Sequence, residues 1–400
     1  MTLLWAVYYL AVFTIGRDDR YAKPIIWGGG GIVFLLNIYG LKKTPFIFYR
    51  EGKILCLFAV WCLIGYGCAE YVGDYLTNLK LVIEMGVLVV CIPAAISCSG
   101  NINWFYWAFL LVPAFNTLQG GTVFQMESIQ QNMDSNLDVR GAGMFINPND
   151  LGFSCFLGLF GAMSLVGTCR NRWLLAVISL GSIVGLFGLI ESASRGAFII
   201  TVAIIILWPI VSLGQISKSK LTRMLLICCL AMVVLFACIF VLPLIVDNTV
   251  LGRRLGQGVN LKDHSSEERL YLVRMAFKIW AEYPFTGAGL GQFPYVSGEY
   301  LYAHNEFAEL LGTTGIVGAA IYYAAYITVW RRLSKSSMAL KDKKLLYQLN
   351  QAKLLWIALI FSGLTIRPNF LINDAMFCFA LIVGIAHLAE RQASIEVERI

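Results

Sequence analysis

The 400-residue chain is 58% hydrophobic and only 14% charged, with a mean hydropathy of +0.71. Soluble domains carry about 25% charge, so a soluble globular protein is excluded. Lys and Arg number 31 against 24 Asp and Glu, a formal net charge of +7, but the cations do not gather on the periodic basic elements that bind nucleic acid, which is excluded as a partner. The 11 cysteines all lie in or at the edge of apolar runs without zinc-ligand spacing, and read as small hydrophobes rather than disulfides or metal ligands.

A spanning helix needs roughly 20 mostly apolar residues, and such runs predict about twelve spans. They fall at 1–16, 21–41, 53–70, 79–98, 103–119, 150–167, 173–190, 195–213, 224–246, 304–330, 354–367 and 373–389. The chain is therefore expected to be all-α, a polytopic membrane helix bundle forming a single integral membrane domain over residues 1–400. Met1–Gly16 lacks a basic leader and a small-residue cleavage site, and is expected to remain as the first span. The run Gly28–Gly31 in the second span predicts close helix packing or a kink.

Orientation follows from the Lys and Arg of short loops. With the N-terminus inside, the cytoplasmic segments hold Lys42, Lys43, Arg50, Lys53, Arg170, Arg172, Lys218, Lys220, Arg223, Arg331, Arg332, Lys335, Lys341, Lys343, Lys344, Lys353, Arg391 and Arg399. The short outer loops hold Arg17, Arg20, Lys23, Lys80, Arg140 and Arg367. A bias of about threefold predicts both termini in the cytoplasm. Two outer segments, 120–149 and 247–303, are too long to be mere connections, and ordered loops of that length tend to be functional. The larger, between spans nine and ten, balances Arg253, Arg254, Lys262, Arg269, Arg274 and Lys278 against Asp247, Asp263, Glu267, Glu268, Glu282 and Glu299. It is not a polybasic lipid-binding arm.

Few residues in this chain carry chemistry. Arg195 stands where an outer loop enters the eighth span, either paired with Glu191 or snorkelling, or else offering its fork to a phosphate. Residues 265–282 predict a helix on the bilayer surface, opened by Ser265 and Glu268 as a capping box and ended by Pro284 and Gly287. Glu267, Arg274, Lys278 and Glu282 share one stripe, whereas Arg269 sits opposite, among Leu272, Val273, Ala276 and Trp280. A charge set there needs a partner, either a carboxylate on another span or an anion. Gly287-Ala288-Gly289-Leu290-Gly291 reads as a tight turn, since no Lys-Ser/Thr follows it, although its glycines would admit a ligand to the backbone. His264 and His387 read as packing or interfacial residues. His304 opens a helix bearing Glu306 and Glu309, and its imidazole is suited to accept a proton near neutral pH, with a structural role at the helix end as the alternative.

Taken in chain order, these pieces resemble the O-antigen ligase and polymerase family of bacterial envelope glycosyltransferases. The resembling residues are Ser194-Arg195-Gly196; Arg269 with Trp280, Pro284 and the Gly287–Gly291 turn; and His304-Asn305 leading through Leu310-Leu311 to Gly315-Ile316-Val317-Gly318. Asn147-Pro148-Asn149-Asp150 is similar as well. The likeness covers residues 145–330, and the first 120 residues match only as generic spans.

The resemblance implies a GT-C-like membrane glycosyltransferase taking a polyprenyl-diphosphate-linked oligosaccharide donor at the outer face of the bacterial inner membrane. Arg195 and Arg269 would bind the donor diphosphate and His304 would act as catalytic base, with Asn305, Glu309, Arg274 and Asn149 in support. The acceptor would be another lipid-linked glycan for a polymerase, or lipid A–core or protein for a ligase. Polymerase is the expectation, because the sequence carries no acceptor-recognition domain. No cofactor and no metal is expected, since two arginines stabilise an already acidic leaving group and the outer acids Asp134, Asp138 and Asp247 are dispersed. A single displacement implies inversion. The competing class, a lipid-oligosaccharide flippase or transporter, needs charges deep in its spans. Of these the chain offers chiefly Glu84, read as a helix–helix hydrogen-bonding group.

Overall fold

In the computed structural model, residues 1–14, 24–41, 49–132, 147–216, 249–259, 264–299, 301–366 and 368–398 are described, and among them the chain is helical with no strand. The helices are α1 (Thr2–Phe13), α2 (Gly30–Leu41, after a π-helical turn at Pro24–Gly29), α3 (Arg50–Ile64), α4 (Val72–Ser99), α5 (Asn103–Asn132), α6 (Pro148–Val166), α7 (Arg172–Ser192), α8 (Arg195–Ile216), α9 (Val250–Val259), α10 (His264–Glu282), α11 (Phe293–Val296), α12 (Glu306–Ala339), α13 (Lys343–Thr365) and α14 (Asn373–Glu398). The all-α class expected from the sequence is the class found.

By length and composition, α4, α6, α7, α8, α12 and α14 are apolar enough to cross a membrane. Six such helices among the described residues stand against about twelve spans expected from hydropathy; the run 224–246 and the Ser265 side chain lie outside the described residues. On α7, Leu174, Val177, Leu180, Ile183, Leu186 and Phe187 are all exposed, an arrangement hazardous in water and suited to lipid.

Helix boundaries differ from the hydropathy reading for one physical reason: an apolar run ends where its lipid contact would end, but a helix continues while its residues favour it. α5 runs through Asn132, into the segment 120–149 expected as a loop. α12 and α13 likewise replace the expected cytoplasmic loop 331–353, meeting at Leu340–Asp342, where the Asp342 side chain caps α13 by accepting from the Lys344 N–H at 2.9 Å.

The described chain forms two compact units, residues 1–39 with 101–261 and residues 40–100 with 262–400. In the first, α5, α6 and α7 pack on one another and α1 lies on α5, where the Asn116 amide donates to the Phe13 carbonyl at 2.8 Å. Gly30, from the glycine run, lies so close to Tyr8 that a Cβ there would meet its hydroxyl at 2.8 Å, which is the close packing the run predicted.

In the second unit α14 packs on α4, α12 and α13, and α12 also crosses α3. Glu51 is fully buried at the start of α3. His387 of α14 meets it with Nε2 at 2.8 Å from Oε2, and Arg332 of α12 with Nε at 3.2 Å from Oε1. Arg332 also pairs with Glu390, and Tyr49 stacks on the His387 ring at 3.7 Å. The expected packing role of His387 is thus carried by a polar contact, which with the Arg332–Glu51 pair ties three helices together.

Candidate active site

α10 spans His264–Glu282, matching the helix expected at 265–282. Its two faces separate as the sequence implies: Glu267, Arg274, Lys278 and Glu282 are exposed, whereas Leu272 and Ala276 are buried and Arg269, Val273 and Trp280 are half-buried. The buried stripe joins Ile279, Ala288, Phe293, Ala303 and Ala308 in one apolar cluster. Arg269 is drawn inward with this stripe, and its Nη1 donates to the Thr365 carbonyl at 3.1 Å.

Thr365 is the last residue of α13, and the final carbonyls of a helix have no partner within it. Three side chains far away in sequence supply donors there. Asn305 Nδ2 lies 3.3 Å from the Leu364 carbonyl, Arg269 Nη1 reaches Thr365, and His304 Nδ1 lies 3.1 Å from the Ile366 carbonyl. A carbonyl only accepts, so Nδ1 carries the proton and Nε2 of the neutral ring keeps its lone pair. The helix end is also the negative pole of its dipole, which favours a guanidinium beside it.

The backbone at His304 is specifically held. Its φ is +53°, a left-handed conformation that non-glycine residues rarely adopt and that clusters at functional sites. Asn305 caps α12, its Oδ1 accepting from the Ala308 N–H at 3.0 Å, and Glu309 Oε2 accepts from the Ala303 N–H at 2.8 Å. The residues flanking His304 are fixed by side chains one turn into the helix, in the manner of a reciprocal cap. His304 precedes α12, and there burial, reinforced by the positive charge of Arg269, pushes its pKa down to about 4, with the Ile366 carbonyl acting the other way. The imidazole is neutral at ordinary pH.

The span expected at 304–330 does not run straight. Gly315, with φ +67° and ψ −177°, breaks α12, and the Glu306 carboxylate receives the Tyr322 hydroxyl at 2.8 Å although the two are 16 residues apart. In a straight helix that separation would be about 24 Å, so the arm 306–314 is bent back toward the arm that follows. The backbone groups freed at the break are all taken up: Ala288 and Gly289 donate to the carbonyls of Gly312 and Thr313, Trp61 Nε1 to that of Thr314, and the Ile316 N–H to that of Pro284, at 2.8–3.0 Å. The Gly287–Gly291 turn is therefore a packing element. Its left-handed Gly287 presses on the Thr313–Thr314 backbone, and the amides of residues 288 and 289 are spent on α12 rather than on a ligand.

Arg195 belongs to the other unit. It opens α8 and is half-buried, donating from Nη1 to the Arg254 carbonyl at 3.2 Å, while Arg254 Nη1 donates to the Ala193 carbonyl at 3.2 Å. The short helix α9 is thus clasped to the turn before α8. Asn149 is buried in the first turn of α6 in that same unit, and one turn later Gly152 lies against Ser192 and Ser194. Arg269, His304, Asn305 and Glu309 are therefore brought together in one unit, whereas Arg274 is exposed on the opposite stripe of α10. Sequence reasoning missed Arg254, Glu306, Tyr322 and Asn369. Of these, only Glu306 carried a signal, as an acid beside the histidine.

The fold and this grouping define a class first: a helical membrane protein whose histidine and arginine are set on the end of a bundle helix. Residues 180–323, from within α7 into α12, match the family described as O-antigen ligase, which supports the O-antigen ligase and polymerase family as that of the chain. None of the curated proteins matches it. The matched stretch includes Arg195, Arg269, Arg274, His304, Asn305 and Glu309 and begins after Asn149. It supports membrane glycan processing of the ligase or polymerase kind, with a lipid-linked glycan donor and an acceptor in the membrane.

Proposed function

We propose that the chain is a metal-independent, inverting glycosyltransferase of the bacterial inner membrane, moving a glycan from a polyprenyl-diphosphate carrier to an acceptor hydroxyl at the outer face. The observation that carries this reading is the contact of His304 with the Ile366 carbonyl, beside Arg269, which leaves an unprotonated Nε2 near a guanidinium, both residues lying within the matched segment. In the reaction, Nε2 takes the proton of the acceptor hydroxyl as its oxygen attacks the anomeric carbon. The bond from that carbon to the diphosphate oxygen breaks, and the electron pair leaves with the diphosphate. Arg269 stabilises the departing charge, as paired N–H donors on phosphate oxygens do. Arg195 is proposed to bind the diphosphate too, on the grounds of its guanidinium and its place in the matched segment. Asn305 and Glu309 hold the base in position.

The acceptor is proposed to be a second lipid-linked repeat, making the enzyme a polymerase. The ligase reading, with lipid A–core as acceptor, has the family's description in its favour. Reconstitution with lipid-linked repeats as the sole substrate separates the two: ladders of lipid-linked product identify a polymerase, and product only after lipid A–core is added identifies a ligase. Turnover in neither case, or full turnover by His304→Ala, would overturn the transfer reading.

A further inference from the structure

Glu306 plays no part in the reaction as written, yet it is an acid buried beside it. It follows Asn305 directly and its side chain is buried. Its carboxyl group meets Tyr322 beyond the Gly315 bend and Asn369, Phe370 and Gly363 around the end of α13. Oε1 accepts from the Tyr322 hydroxyl, which lies beyond the Gly315 bend and is itself 3.0 Å from the Tyr326 hydroxyl. Oε2 accepts from Asn369 Nδ2 at 3.4 Å. Gly363 lies against the same oxygen so closely that no Cβ could stand there.

Asn369 and Gly363 are parts of one structure, the end of α13. Asn369 Nδ2 also donates to the Leu359 carbonyl at 2.7 Å, and Ser362 Oγ donates to Asn369 Oδ1 at 2.8 Å. This ties the turn after α13 back onto its last helical turn. The next three carbonyls are those of Leu364, Thr365 and Ile366, which receive Asn305, Arg269 and His304. Glu306 therefore touches all three bodies whose placement defines the site: the short arm carrying His304, the long arm beyond the bend, and the helix end on which the imidazole is oriented.

We propose that Glu306 is a further positioning residue of the transfer site, beside Asn305 and Glu309, holding the short arm of α12 both to Tyr322 and to the end of α13 so that His304 Nδ1 stays on the Ile366 carbonyl and Nε2 stays aimed as base. The proposal rests on the transfer reading above and adds to it a residue that touches no substrate. A carboxyl group serves this purpose because its two oxygens meet Tyr322 and Asn369 at once; an amide in its place keeps both contacts only with its oxygen on Asn369 Nδ2 and its NH2 on the Tyr322 hydroxyl, which reverses that bond.

The test uses the protein with the lipid-linked oligosaccharide of its own cell as substrate, comparing wild type, Glu306→Ala, Glu306→Gln and His304→Ala. The charged groups around His304 on the elements packed against it are Arg269 of α10 and Glu306 and Glu309 of α12, while α13 faces it with backbone carbonyls. Misplacing a reacting group by about 1 Å costs on the order of 10²-fold, so Glu306→Ala is expected to lower kcat by about ten- to a hundredfold per folded molecule, with the donor KM within about twofold. The acid limb of kcat is expected to climb from near 4 toward the ordinary histidine value as water reaches the loosened ring. Glu306→Gln, which keeps both contacts with one of them reversed, should show a smaller form of both changes. If Glu306→Gln is folded and keeps both the wild-type kcat and the wild-type acid limb, the proposal is overturned. The same holds if the lost activity merely follows lost folded protein. Should His304→Ala also retain turnover, it is the transfer reading itself that fails; a dead His304→Ala beside an unaffected Glu306→Gln removes only this inference.

Discussion

Two polar groups in the second unit use similar residue types to opposite ends. Around Glu51, a carboxylate takes His387 and Arg332 directly, at 2.8 and 3.2 Å, so side chain is answered by side chain and three helices are locked. Around His304, the imidazole and the Arg269 guanidinium donate to main-chain carbonyls at the end of α13. A carboxylate partner ties a histidine to another side chain; a carbonyl partner fixes its tautomer and leaves the other nitrogen unprotonated. The partner, rather than the residue, separates a structural histidine from a candidate base.

The largest effect should come from exchanging the lesions. His304→Ala is expected to lower turnover by about 10²–10⁴-fold with normal yield of folded protein. Glu51→Ala should instead cost on the order of 1–3 kcal/mol by leaving His387 Nε2 and Arg332 Nε without their buried acceptor, with lower thermal stability and yield but full activity in the molecules that fold. Transfer per folded molecule, measured beside heat-induced loss from size-exclusion chromatography, separates the two; reversed results would break the comparison. Arg269→Ala should cost on the order of 10²-fold in kcat, and Arg269→Lys, which keeps the charge but not the fork, should recover only part of it.

The pH profile sharpens the contrast further. The neutral imidazole is the active form and predominates above its pKa, so transfer should hold as pH falls from neutrality and drop only near about 4. Arg269 contributes to that depression, and Arg269→Ala should therefore move the acid limb upward; a downward shift would contradict the assignment. Gly315→Ala, which forces a side chain into a left-handed position against Phe285, should cost about 1–3 kcal/mol of stability, visible as a lower Tm. Arg274→Ala, on the exposed stripe, is expected to leave turnover within about twofold, as surface substitutions do.

Much of this was legible in the sequence, residue by residue. The period of α10 alone placed Arg269 on the buried face and Arg274 on the exposed one, because 100° per residue is a local property. His304 was marked by its place at a helix start. What stayed hidden was non-local. The acceptor of Arg269 lies 96 residues away and is a backbone atom, which no side-chain pattern announces. Glu306 read as an ordinary first-turn acid, stabilising by the dipole, because the bend that carries it to Tyr322 falls at one of three glycines, Gly312, Gly315 and Gly318, which the sequence does not tell apart. α9 was missed since it is short, polar and stabilised by the clasp with the Ala193–Arg195 turn rather than by an apolar run.

Main-chain acceptors at the end of α13 also govern how this site can change over generations. Every amino acid offers the same carbonyl, so positions 364 and 365, both exposed, can drift through many residue types without altering what Asn305 and Arg269 find there. Position 366 is constrained differently, because Ile366 is 1% exposed and must fill its space. The donors have no such latitude, and neither has Gly363, where any side chain would push Glu306 aside. Sequence variation across relatives should therefore be lopsided, tolerant on the accepting side of each contact and strict on the donating side.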